Sequence, residues 1–335
     1  MSNPLRVILA NRRSGAFWSI EELFLSIARA FPAWVGCTVA NAPRGGANFR
    51  SILANLRWAR SLRDGDVIHQ TGDVHYALLG VWGRPVVLTI HDLRFIEESR
   101  GLKRFLFWSW WLYLPCLRAN RVTVISEFTK SRLLALCRVD PAKVRVIPNC
   151  VAAEFTVVPK AWPSGRVRVL QVGSTDNKNL TRVAEACAGL PVHLTILGKP
   201  TPAQQAHLGQ HEVAYECRSD LSKAEVVALY SACDLVVFVS TYEGFGMPIL
   251  EAQAVGRPVL TSSISPMREV AGDGALKVDP FDVAAIRAGL TRLIEEPGLR
   301  EHLVRDGLRN VAGYSAVAVA AQYASLYREV LGETE

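Results

Sequence analysis

Two series of short runs rich in Val, Ile and Leu, each alternating with longer helix-like segments, constrain the fold of this chain more than any other feature. Strands that are buried on both faces of a parallel sheet give such continuous apolar runs, and helices connect them. The sequence therefore predicts an α/β fold built from two doubly wound halves. The first series lies near 5–10, 36–40, 66–70, 85–90, 121–125 and 144–147, and the second near 167–172, 192–197, 212–215, 234–239, 258–261 and 275–278.

A segment with two prolines and a glycine, Val158–Gly165, separates the two series and predicts a linker. The length of 335 residues exceeds what one hydrophobic core usually supports, which also favours two domains. We predict an N-terminal domain over 1–160 and a C-terminal domain over 161–315. The remainder, 316–335, contains a helical pattern without Gly or Pro, and this helix can stay on the second domain or cross back to the first.

Composition narrows the partners of the chain. A formal charge of +7 and a pI near 9.1 suit nucleic acid, an anionic membrane face or phosphate-bearing substrates. No zinc finger, RNA-binding signature or basic heptad region is present, so we expect no nucleic-acid partner. The seven cysteines form no Cys-x-x-Cys pair, which indicates buried thiols in a reducing cytosol. Because the N-terminus lacks a signal-peptide hydrophobic region, we expect a cytoplasmic protein.

One loop lies between a predicted strand and a predicted helix. The strand is Asp234–Ser240, and the helix, Pro248–Val255, is opened by its proline and stopped by Gly256. Ligands bind at the carboxyl ends of strands in open α/β sheets, and a helix N-terminus offers free N–H groups to an anion. The pattern therefore indicates an anion-binding loop.

Two glycines and two carboxylates belong to this loop and the start of its helix. Gly244 and Gly246 allow close approach of the backbone to a ligand, because they lack a Cβ. Glu243 and Glu251 can accept hydrogen bonds from the vicinal hydroxyls of a sugar or a ribose. The alternative is that Glu243 is a solvated loop residue and Glu251 a favourable charge in the first turn of the helix.

A cation and a histidine follow two other predicted strands. Gly173 ends one strand and Lys178 opens the next helix, so the two face the same ligand edge; the alternative for Lys178 is a solvated lysine at a helix start. His91 comes directly after the buried run Val86–Ile90. A lone histidine there is more often structural, but histidine is also the commonest side chain for proton handling near neutral pH.

The segment from Tyr242 to Glu251, a Glu-x7-Glu with Gly-Phe-Gly and a proline inside it, resembles the signature of retaining glycosyltransferases of family 4. The resemblance implies the GT-B architecture, two Rossmann-like domains with an interdomain cleft. It also implies that Glu243 contacts the sugar of a nucleotide-sugar donor. The backbone N–H groups of Gly244, Phe245 and Gly246 would then bind its hydroxyls and phosphate, and Glu251 its ribose.

Further segments are similar to the same family. The resemblance makes Lys178 the partner of the donor diphosphate, with Gly173 beside it, and places His91 opposite the donor sugar. The family usually has a cation just before this lysine, where the chain has Asn177; Arg182, Lys199 or Arg268 are the candidate substitutes. After the first strand, where the family commonly has two glycines, only Gly15 fits, and Arg12 or Arg13 are candidates for a phosphate or acceptor contact.

The activity that the resemblance implies is transfer of a hexose-type sugar, with mannose preferred, to an acceptor hydroxyl in bacterial cell-surface polysaccharide or glycolipid assembly. The acceptor would be a glycan or a lipid-linked molecule. We expect no Asp-x-Asp motif to hold a divalent ion against the diphosphate, and Asp92 and Asp176 are isolated acids. We therefore expect no cofactor and no metal, and hence metal-independent transfer. Alternatives are a sugar-nucleotide epimerase of the same architecture or a non-catalytic sugar-nucleotide-binding protein. A glycoside hydrolase is disfavoured, because its two carboxylates flank the scissile bond from opposite sides, whereas Glu243 and Glu251 bracket one loop and the start of one helix.

Two basic segments bear on membrane contact. Phe105–Pro115 is apolar but far shorter than the roughly 20 residues that span a bilayer. It lies within the basic aromatic segment 103–121, which is interpreted as a buried helix or, alternatively, as a surface resting among lipid headgroups. The helical pattern Asn48–Arg63 is basic and has no acidic residue. Acting together, the two would place the enzyme on the inner face of an anionic membrane.

Overall fold

The computed structural model describes residues 4–12 and 19–333. The chain divides into two compact units, one formed by the described parts of 1–150 and 316–335 and the other by 151–315. Each unit is built on a six-stranded sheet in which every pair of neighbouring strands is parallel. The predicted α/β class with two doubly wound sheets is confirmed.

The first unit contains six strands and six helices before residue 150 in the described part of the chain. Its strands are β1 (Leu5–Asn11), β2 (Val35–Asn41), β3 (Val67–Gln70), β4 (Val86–Ile90), β5 (Arg121–Val124) and β6 (Val144–Val146). Its helices are α1 (Ser19–Arg29), α2 (Phe49–Ser61), α3 (Arg94–Glu97), α4 (Gly101–Phe107), α5 (Leu114–Arg118) and α6 (Glu127–Leu136). The unit also contains two 3-10 helices, His75–Gly80 and Pro141–Lys143, and a π-helical stretch, Trp108–Tyr113.

The second unit repeats the alternation of strands and helices. Its strands are β7 (Val167–Val172), β8 (Val192–Leu197), β9 (Tyr215–Arg218), β10 (Leu235–Phe238), β11 (Val259–Ser262) and β12 (Leu276–Val278). Its helices are α7 (Leu180–Cys187), α8 (Pro202–Gln210), α9 (Lys223–Ala232), α10 (Met247–Ala254), α11 (Met267–Ala271), α12 (Val283–Glu295) and α13 (Pro297–Ala312). The last helix of the chain is α14 (Ala316–Leu331).

One predicted strand lies elsewhere. The apolar run near 212–215 predicted a strand that in fact begins only at Tyr215. The residues before it end helix α8 instead: Glu212 has a left-handed φ of 51°, and the N–H of Val213 donates to the carbonyl of Leu208 at 3.1 Å. Because the N–H of Val213 is bonded to the end of the helix, it is not available to pair with a neighbouring strand.

Strand order reverses once in each sheet. The first sheet has the order β2-β1-β3-β4-β5-β6, so the chain changes direction across the sheet between β1 and β3. The second has the order β12-β11-β10-β7-β8-β9, with the reversal between β7 and β10. At such a point the loops after the two central strands diverge and leave a crevice at the carboxyl edge, where open α/β sheets bind ligands.

Helix α14 belongs to the first unit. Its buried Val319, Tyr323 and Tyr327 pack in one apolar cluster with Leu9 of β1 and Phe24 of α1. The helix therefore covers a face of the first sheet, which is the cross-back alternative for residues 316–335.

The proline-containing segment predicted as the linker is held on the second unit. Arg257 donates to the carbonyl of Val158 at 2.8 Å, Lys160 donates to the carbonyl of Ala232 at 2.6 Å, and the Arg300 guanidinium stacks over the Trp162 ring at 3.8 Å. The two compact units meet in the chain at 150–151. The boundary lies before the predicted linker, Val158–Gly165, because these contacts hold 158–162 on the second unit.

A chain of buried polar side chains crosses the core of the first unit. His69 of β3 bonds through Nδ1 to the Tyr327 hydroxyl and through Nε2 to the Thr89 hydroxyl, both at 2.7 Å. Thr89 in turn lies 2.6 Å from the Thr123 hydroxyl. Burial lowers the pKa of His69 to about 3, so the imidazole is neutral and bridges hydroxyls on either side.

The depressed pKa of His69 makes the stability of the protein pH-dependent. Below the ordinary histidine pKa of about 6.5, the unfolded chain binds a proton that the folded state excludes, so the free energy of unfolding falls by about 1.4 kcal/mol per pH unit for this group. We expect His69→Gln, whose amide retains a donor and an acceptor, to remove that part of the slope. Urea unfolding between pH 7 and pH 5 measures it, and an unchanged slope in the variant contradicts the assignment.

Candidate functional site

The loops after β7 and β10 meet at the point where the second sheet reverses its strand order. The N–H of Thr241 donates to the carbonyl of Asn177 at 2.8 Å. Buried Asn179 reaches from the other loop and donates its side-chain amide to the carbonyl of Val239 at 3.0 Å. These bonds fix the two loops against each other at the carboxyl edge of the sheet.

Lys178 and Glu243, one from each loop, form an ion pair at this edge. Lys178 Nζ lies 2.6 Å from Glu243 Oε1, and the two side chains keep only 20% and 15% of their exposure. The ammonium also lies over the Phe238 ring, 4.7 Å from its centroid, where the ring face attracts a cation. The structure therefore brings together two residues that the sequence predicted for one site.

Asn177 occupies the position where the resemblance called for a second cation. Its side-chain amide donates to the carbonyl of Tyr242 at 2.9 Å and to Glu243 Oε1 at 3.3 Å. A cation here would add charge, whereas the amide orients the Glu243 carboxylate. Sequence comparison with the usual pattern marked the residue as a departure but gave no sign of this contact.

Gly173 makes room for the lysine. It has a φ of +91°, and a Cβ added there would lie 2.7 Å from Lys178 Cγ. The prediction that Lys178 opens a helix is wrong in detail: it ends a 3-10 turn, Asp176–Lys178, and α7 begins at Leu180 after Asn179 in the left-handed conformation. Asn179 therefore separates the turn from the helix, and Lys178 lies before α7 rather than in it.

The Gly-Phe-Gly segment leads directly into α10. Gly246, with a φ of 123°, precedes the helix, and an added Cβ would meet Ile249 Cδ1 at 3.2 Å. Phe245 is buried and its ring packs edge-on against Tyr314 at 6.1 Å between centroids, so its side chain anchors the loop. Gly244, the first residue of the segment, is half-buried.

Glu251 lies one residue further into the helix than the sequence suggested, just beyond the first turn. Helix α10 begins at Met247 and has no acidic residue in its first turn. The alternative interpretation of Glu251 as a first-turn charge is therefore wrong. The carboxylate accepts instead from the hydroxyl of fully buried Tyr230, which lies 2.5 Å from Oε2. Burial raises the pKa of Glu251, and the Tyr230 hydrogen bond and the charge of Lys178 oppose that rise.

Tyr230 is a site residue that sequence reasoning missed. It is the eighth residue of α9, an apolar helix, and its ring packs edge-on against Phe155 at 5.3 Å. In sequence it is indistinguishable from an ordinary core aromatic, because only its contact with Glu251 reveals the role of the hydroxyl.

Buried polar atoms without partners cluster at the same edge. Among the described residues, the amide oxygen of Gln171 on β7 and the hydroxyl of Ser240, just after β10, are buried and have no hydrogen-bond partner. Native structures rarely leave such atoms unpaired unless a ligand or water reaches them. Their position at the reversal point of the sheet is the one expected for a polar ligand.

The three cations considered as substitutes for a second clamp residue each have another partner. Arg182 donates to the Asn179 side chain at 2.9 Å. Lys199 pairs with Asp220 at 2.7 Å and Arg268 with Glu269 at 2.7 Å, both in exposed positions. Lys178 is thus the cation that the structure joins directly to Glu243.

Sequence reasoning also overlooked an Asp-x-Asp pair, Asp64 and Asp66. The pair precedes β3 and therefore lies at the amino end of that strand, away from the ligand edge. Asp66 accepts from the backbone N–H of Arg6 at 2.9 Å and from its guanidinium at 3.0 Å. These contacts lower the pKa of Asp66. The role of this carboxylate is therefore structural.

The reversal point of the first sheet carries a second polar cluster. The Thr71 hydroxyl, after β3, bonds to the Asn11 side chain at the end of β1. Arg12 pairs with Glu21 at 2.7 Å and with Asp73 at 2.6 Å, so it is committed to two carboxylates. Gly15 and Arg13, the other residues predicted for this loop, lie outside the described residues.

His91 adjoins that cluster from the end of β4. Its Nε2–H donates to the carbonyl of Thr71 at 3.0 Å, which assigns the proton to Nε2 and the lone pair to Nδ1. Burial lowers its pKa, so the ring is neutral near pH 7. His91 is in the first unit, whereas Lys178, Glu243 and Glu251 are in the second.

Two family descriptions match the chain in succession. "Glycosyltransferase Family 4" matches residues 7–155, and "Glycosyl transferases group 1" matches residues 154–309. The O-antigen chain mannosyltransferase B of Escherichia coli is 38% identical over 268 residues, which cover 72% of this chain and 70% of that protein. The MMP alpha-(1->4)-mannosyltransferase of Mycolicibacterium hassiacum is 29% identical over 311 residues, covering 83% and 74%.

Solved structures share the fold at low identity. The sucrose-phosphate synthase of Thermosynechococcus elongatus superposes with a TM-score of 0.76 at 18% identity, covering 99% of this chain and 100% of that one. The HepE protein of Anabaena, solved in complex with UDP and glucose, superposes with a TM-score of 0.71 at 17% identity, covering 98% and 99%.

Removing the free space at Gly173 tests whether the glycine places the lysine. We expect Gly173→Ala to lose about 1–3 kcal/mol from backbone strain at positive φ and to displace Lys178, which weakens nucleoside diphosphate binding. Gly189→Ala is the matched control, because Gly189 also has a positive φ of +70° but has nothing within 4 Å of an added Cβ. Thermal unfolding of both variants measures the strain, and calorimetry of nucleoside diphosphate binding measures the displacement of Lys178. Equal nucleoside diphosphate affinities of the two variants contradict the prediction.

Proposed function

The chain belongs to glycosyltransferase family 4, and we propose that it transfers a mannosyl unit, with retention of anomeric configuration, from a nucleotide-sugar to an acceptor hydroxyl. The Lys178–Glu243 pair at the reversal point of the second sheet carries the proposal. It unites a cation for a leaving diphosphate with a carboxylate for sugar hydroxyls. The mannosyl assignment rests on the E. coli and Mycolicibacterium relatives, both named as mannosyltransferases, and the setting is cell-surface polysaccharide assembly.

Donor binding requires Lys178 to exchange its partner. Without donor, the ammonium is neutralised by Glu243 at 2.6 Å. The donor diphosphate replaces that carboxylate as the anion, and Glu243, still oriented by Asn177, accepts hydrogen bonds from the sugar. Negative charge develops on the diphosphate as the glycosidic bond breaks, and a preorganised cation in a poorly solvated site stabilises it most at that moment. The N–H groups at the start of α10 add to this stabilisation.

Glu251 is assigned to the ribose. The Tyr230 hydroxyl donates to Oε2, which fixes the carboxylate and leaves Oε1 for the vicinal hydroxyls of the ribose. Tyr230 itself is a positioning residue, because it acts through Glu251. The pairing explains why a carboxylate with a raised pKa remains in a largely buried position.

His91 is assigned to a hydroxyl of the donor sugar. Its Nε2–H is committed to Thr71, and the neutral ring offers Nδ1 as an acceptor. The carboxyl edge of the first sheet, where this residue lies, is assigned to the acceptor side of the reaction.

Transfer is proposed to be independent of a metal ion. Lys178 and the start of α10 supply the positive charge that the diphosphate needs. The chain's Asp-x-Asp pair precedes β3, at the amino end of that strand, and its Asp66 is bound to Arg6. Lys178 and the start of α10 are proposed to neutralise the diphosphate in the same way whichever base the nucleotide carries.

The acceptor is proposed to be lipid-linked and reached at the inner face of an anionic membrane. In the first unit an apolar groove of about 600 Å³ is lined by residues of α2, α4 and the π-helical stretch, among them Phe49, Leu53, Leu102 and Trp110. Helix α4 has no buried residue although five of its seven residues are Gly, Leu or Phe. No described helix is long and apolar enough to cross a bilayer.

The charge around this groove supports a lipid surface as its partner. Phe49 and Leu102 remain 77% and 73% exposed, while the polar Ser51 and Asn55 on the other side of α2 are buried. Helix α2 carries arginines and no acidic residue, and Lys103 joins the lining of the groove. Exposed aromatic and aliphatic side chains ringed by basic groups are typical of surfaces that bind anionic headgroups. The basic aromatic segment 103–121, which was predicted to be a buried helix, is only partly buried. Trp108 and Trp111 pack on the core, whereas Phe105, Leu106 and Trp110 are exposed.

Release of nucleoside diphosphate tests the reaction and its donor. We expect the purified chain to release nucleoside diphosphate slowly from one member of a panel of UDP-, GDP-, ADP- and dTDP-sugars without acceptor, and to be stabilised thermally by that donor. The rate in EDTA should equal the rate in magnesium or manganese. Binding without any release indicates a silent binding protein, and rescue of EDTA-inhibited release by a divalent ion contradicts metal independence.

Substitutions at the two glutamates separate their roles in the same assay. Glu251→Gln should weaken nucleoside diphosphate binding by about 10–100-fold, the value of a hydrogen bond to a charged group, while Glu243→Gln should mainly lower turnover. Because burial raises the pKa of Glu251, its charge destabilises the folded state above the ordinary Glu pKa, so Glu251→Gln should not lower the melting temperature at pH 7.5. Equal losses of nucleoside diphosphate affinity would overturn the division.

Flotation with liposomes tests the membrane surface. We expect the chain to float with vesicles containing anionic lipid at low salt, and binding to fall with rising salt because the basic residues are screened. The double variant Phe49→Ser, Leu102→Ser should lose binding. Trp82→Ser is the matched control, since Trp82 is 71% exposed but does not line the groove. Flotation of the double variant at the wild-type level contradicts the assignment.

A further inference from the structure

A glutamate and two histidines of the second unit lie together away from the residues assigned to the donor. Glu185 is on α7 and His207 is on α8. His211 is the residue directly after α8, one helical turn beyond His207. The side-chain ligand atoms of the three lie within 4.8 Å of one another. Each side chain is half-buried, so the cluster is open to an ion from solvent and partly shielded from competing water.

The contact between His207 and Glu185 forms no hydrogen bond but has a suitable spacing for a shared ion. His207 Nε2 lies 3.1 Å from Glu185 Oε1, yet this nitrogen is buried and forms no hydrogen bond with any described residue. Two ligands of a tetrahedral ion at about 2.0–2.1 Å are roughly 3.3 Å apart. His207 Nε2 and the carboxylate oxygen of Glu185 are therefore already near the separation that a common ion would impose.

The donor set selects the class of metal. Two imidazole nitrogens and one carboxylate oxygen suit zinc and its neighbours among the divalent transition metals, whereas magnesium and calcium prefer oxygen ligands alone. The His207 and His211 rings lie 4.6 Å apart between centroids at 62°, as successive turns of a helix place them. A fourth position is available to water, as in many three-ligand zinc sites.

The backbone that carries these ligands is rigid. Leu208, next to His207, is fully buried and packs in the same apolar cluster as Ala184 and Val183 of α7. The N-terminus of α8 is fixed by a reciprocal cap between Thr201 and Gln204. Glu185 and His207 thus stand on two packed helices, and His211 is the C-cap of α8, with its N–H bonded to the carbonyl of His207 at 3.2 Å, so binding an ion does not require ordering a loop.

The same two helices connect the cluster to the donor loop. Helix α7 begins two residues after Lys178, and Gln204 of α8 donates to the carbonyl of Ser174, next to Gly173, at 2.8 Å. An ion that joins the C-terminal parts of α7 and α8 therefore stiffens the support of that loop from behind. We propose that Glu185, His207 and His211 form a structural site for zinc or a zinc-like divalent transition metal.

Zinc binding to the metal-stripped chain tests the site directly. We expect one equivalent of zinc to bind in calorimetry and the melting temperature to rise by about 5 °C at a hundredfold excess over the dissociation constant. Cobalt should give the visible absorption of a tetrahedral N/O site, and magnesium should have no effect. Variants His207→Ala and His211→Ala should each lose the response, and Glu185→Gln should weaken zinc binding at least tenfold.

Two controls separate this site from adventitious zinc binding. His193→Ala removes a histidine of β8 outside the cluster, and Cys217→Ser removes an exposed thiol; both should keep the full response. A zinc response that survives His207→Ala, or that disappears in Cys217→Ser, overturns the proposal.

The metal test is independent of the proposed transferase function. Stripping zinc should lower the melting temperature while leaving nucleoside diphosphate release at saturating donor unchanged, because the cluster does not touch the donor residues. A chain that binds zinc but releases no nucleoside diphosphate refutes only the proposed function. A chain that releases nucleoside diphosphate but does not respond to zinc refutes only the metal site.

Discussion

Reversal of strand order within a parallel sheet is the constraint on which both halves of this protein depend. Right-handed crossovers carry successive strands outward in one direction, and a return to the centre leaves two adjacent loops pointing apart. In the second sheet this brings Lys178 and Glu243 together from loops after β7 and β10. In the first it brings Asn11 and Thr71 together from loops after β1 and β3. Polar residues gather at these points because the rest of each sheet is covered.

The lysine at the second reversal point is held by steric as well as electrostatic means. Gly173 leaves the space through which its stem passes, Phe238 lies beneath the ammonium, and Glu243 neutralises it. A half-buried ion pair of this kind is desolvated only in part. A dianionic diphosphate can therefore replace the carboxylate as the partner of Lys178 without leaving a fully buried charge unpaired. The site is thus preorganised for an anion, and the exchange frees Glu243 for sugar hydroxyls.

The fold followed from local patterns to a large degree. Eleven of the twelve strands lie where apolar runs predicted them, since strands buried on both faces have no polar periodicity to obscure them. The exception, β9, begins later because Glu212 and Val213 close a helix. The division of the chain at 150–151 was not evident, because contacts of Val158, Lys160 and Trp162 with distant residues decide it.

The sequence by itself determined the α/β class, the C-terminal helix, and the loop and following helix that carry Glu243 and Glu251, because periodicity, glycine and proline act locally. Tertiary structure alone decided which side chains meet. It paired Lys178 with Glu243 across 65 residues of chain, gave Glu251 the hydroxyl of Tyr230, and turned Asn177 into a partner of Glu243. It also placed α14 on the first sheet. The physical reason is that contacts between distant residues depend on sheet order and helix packing, which no local pattern encodes.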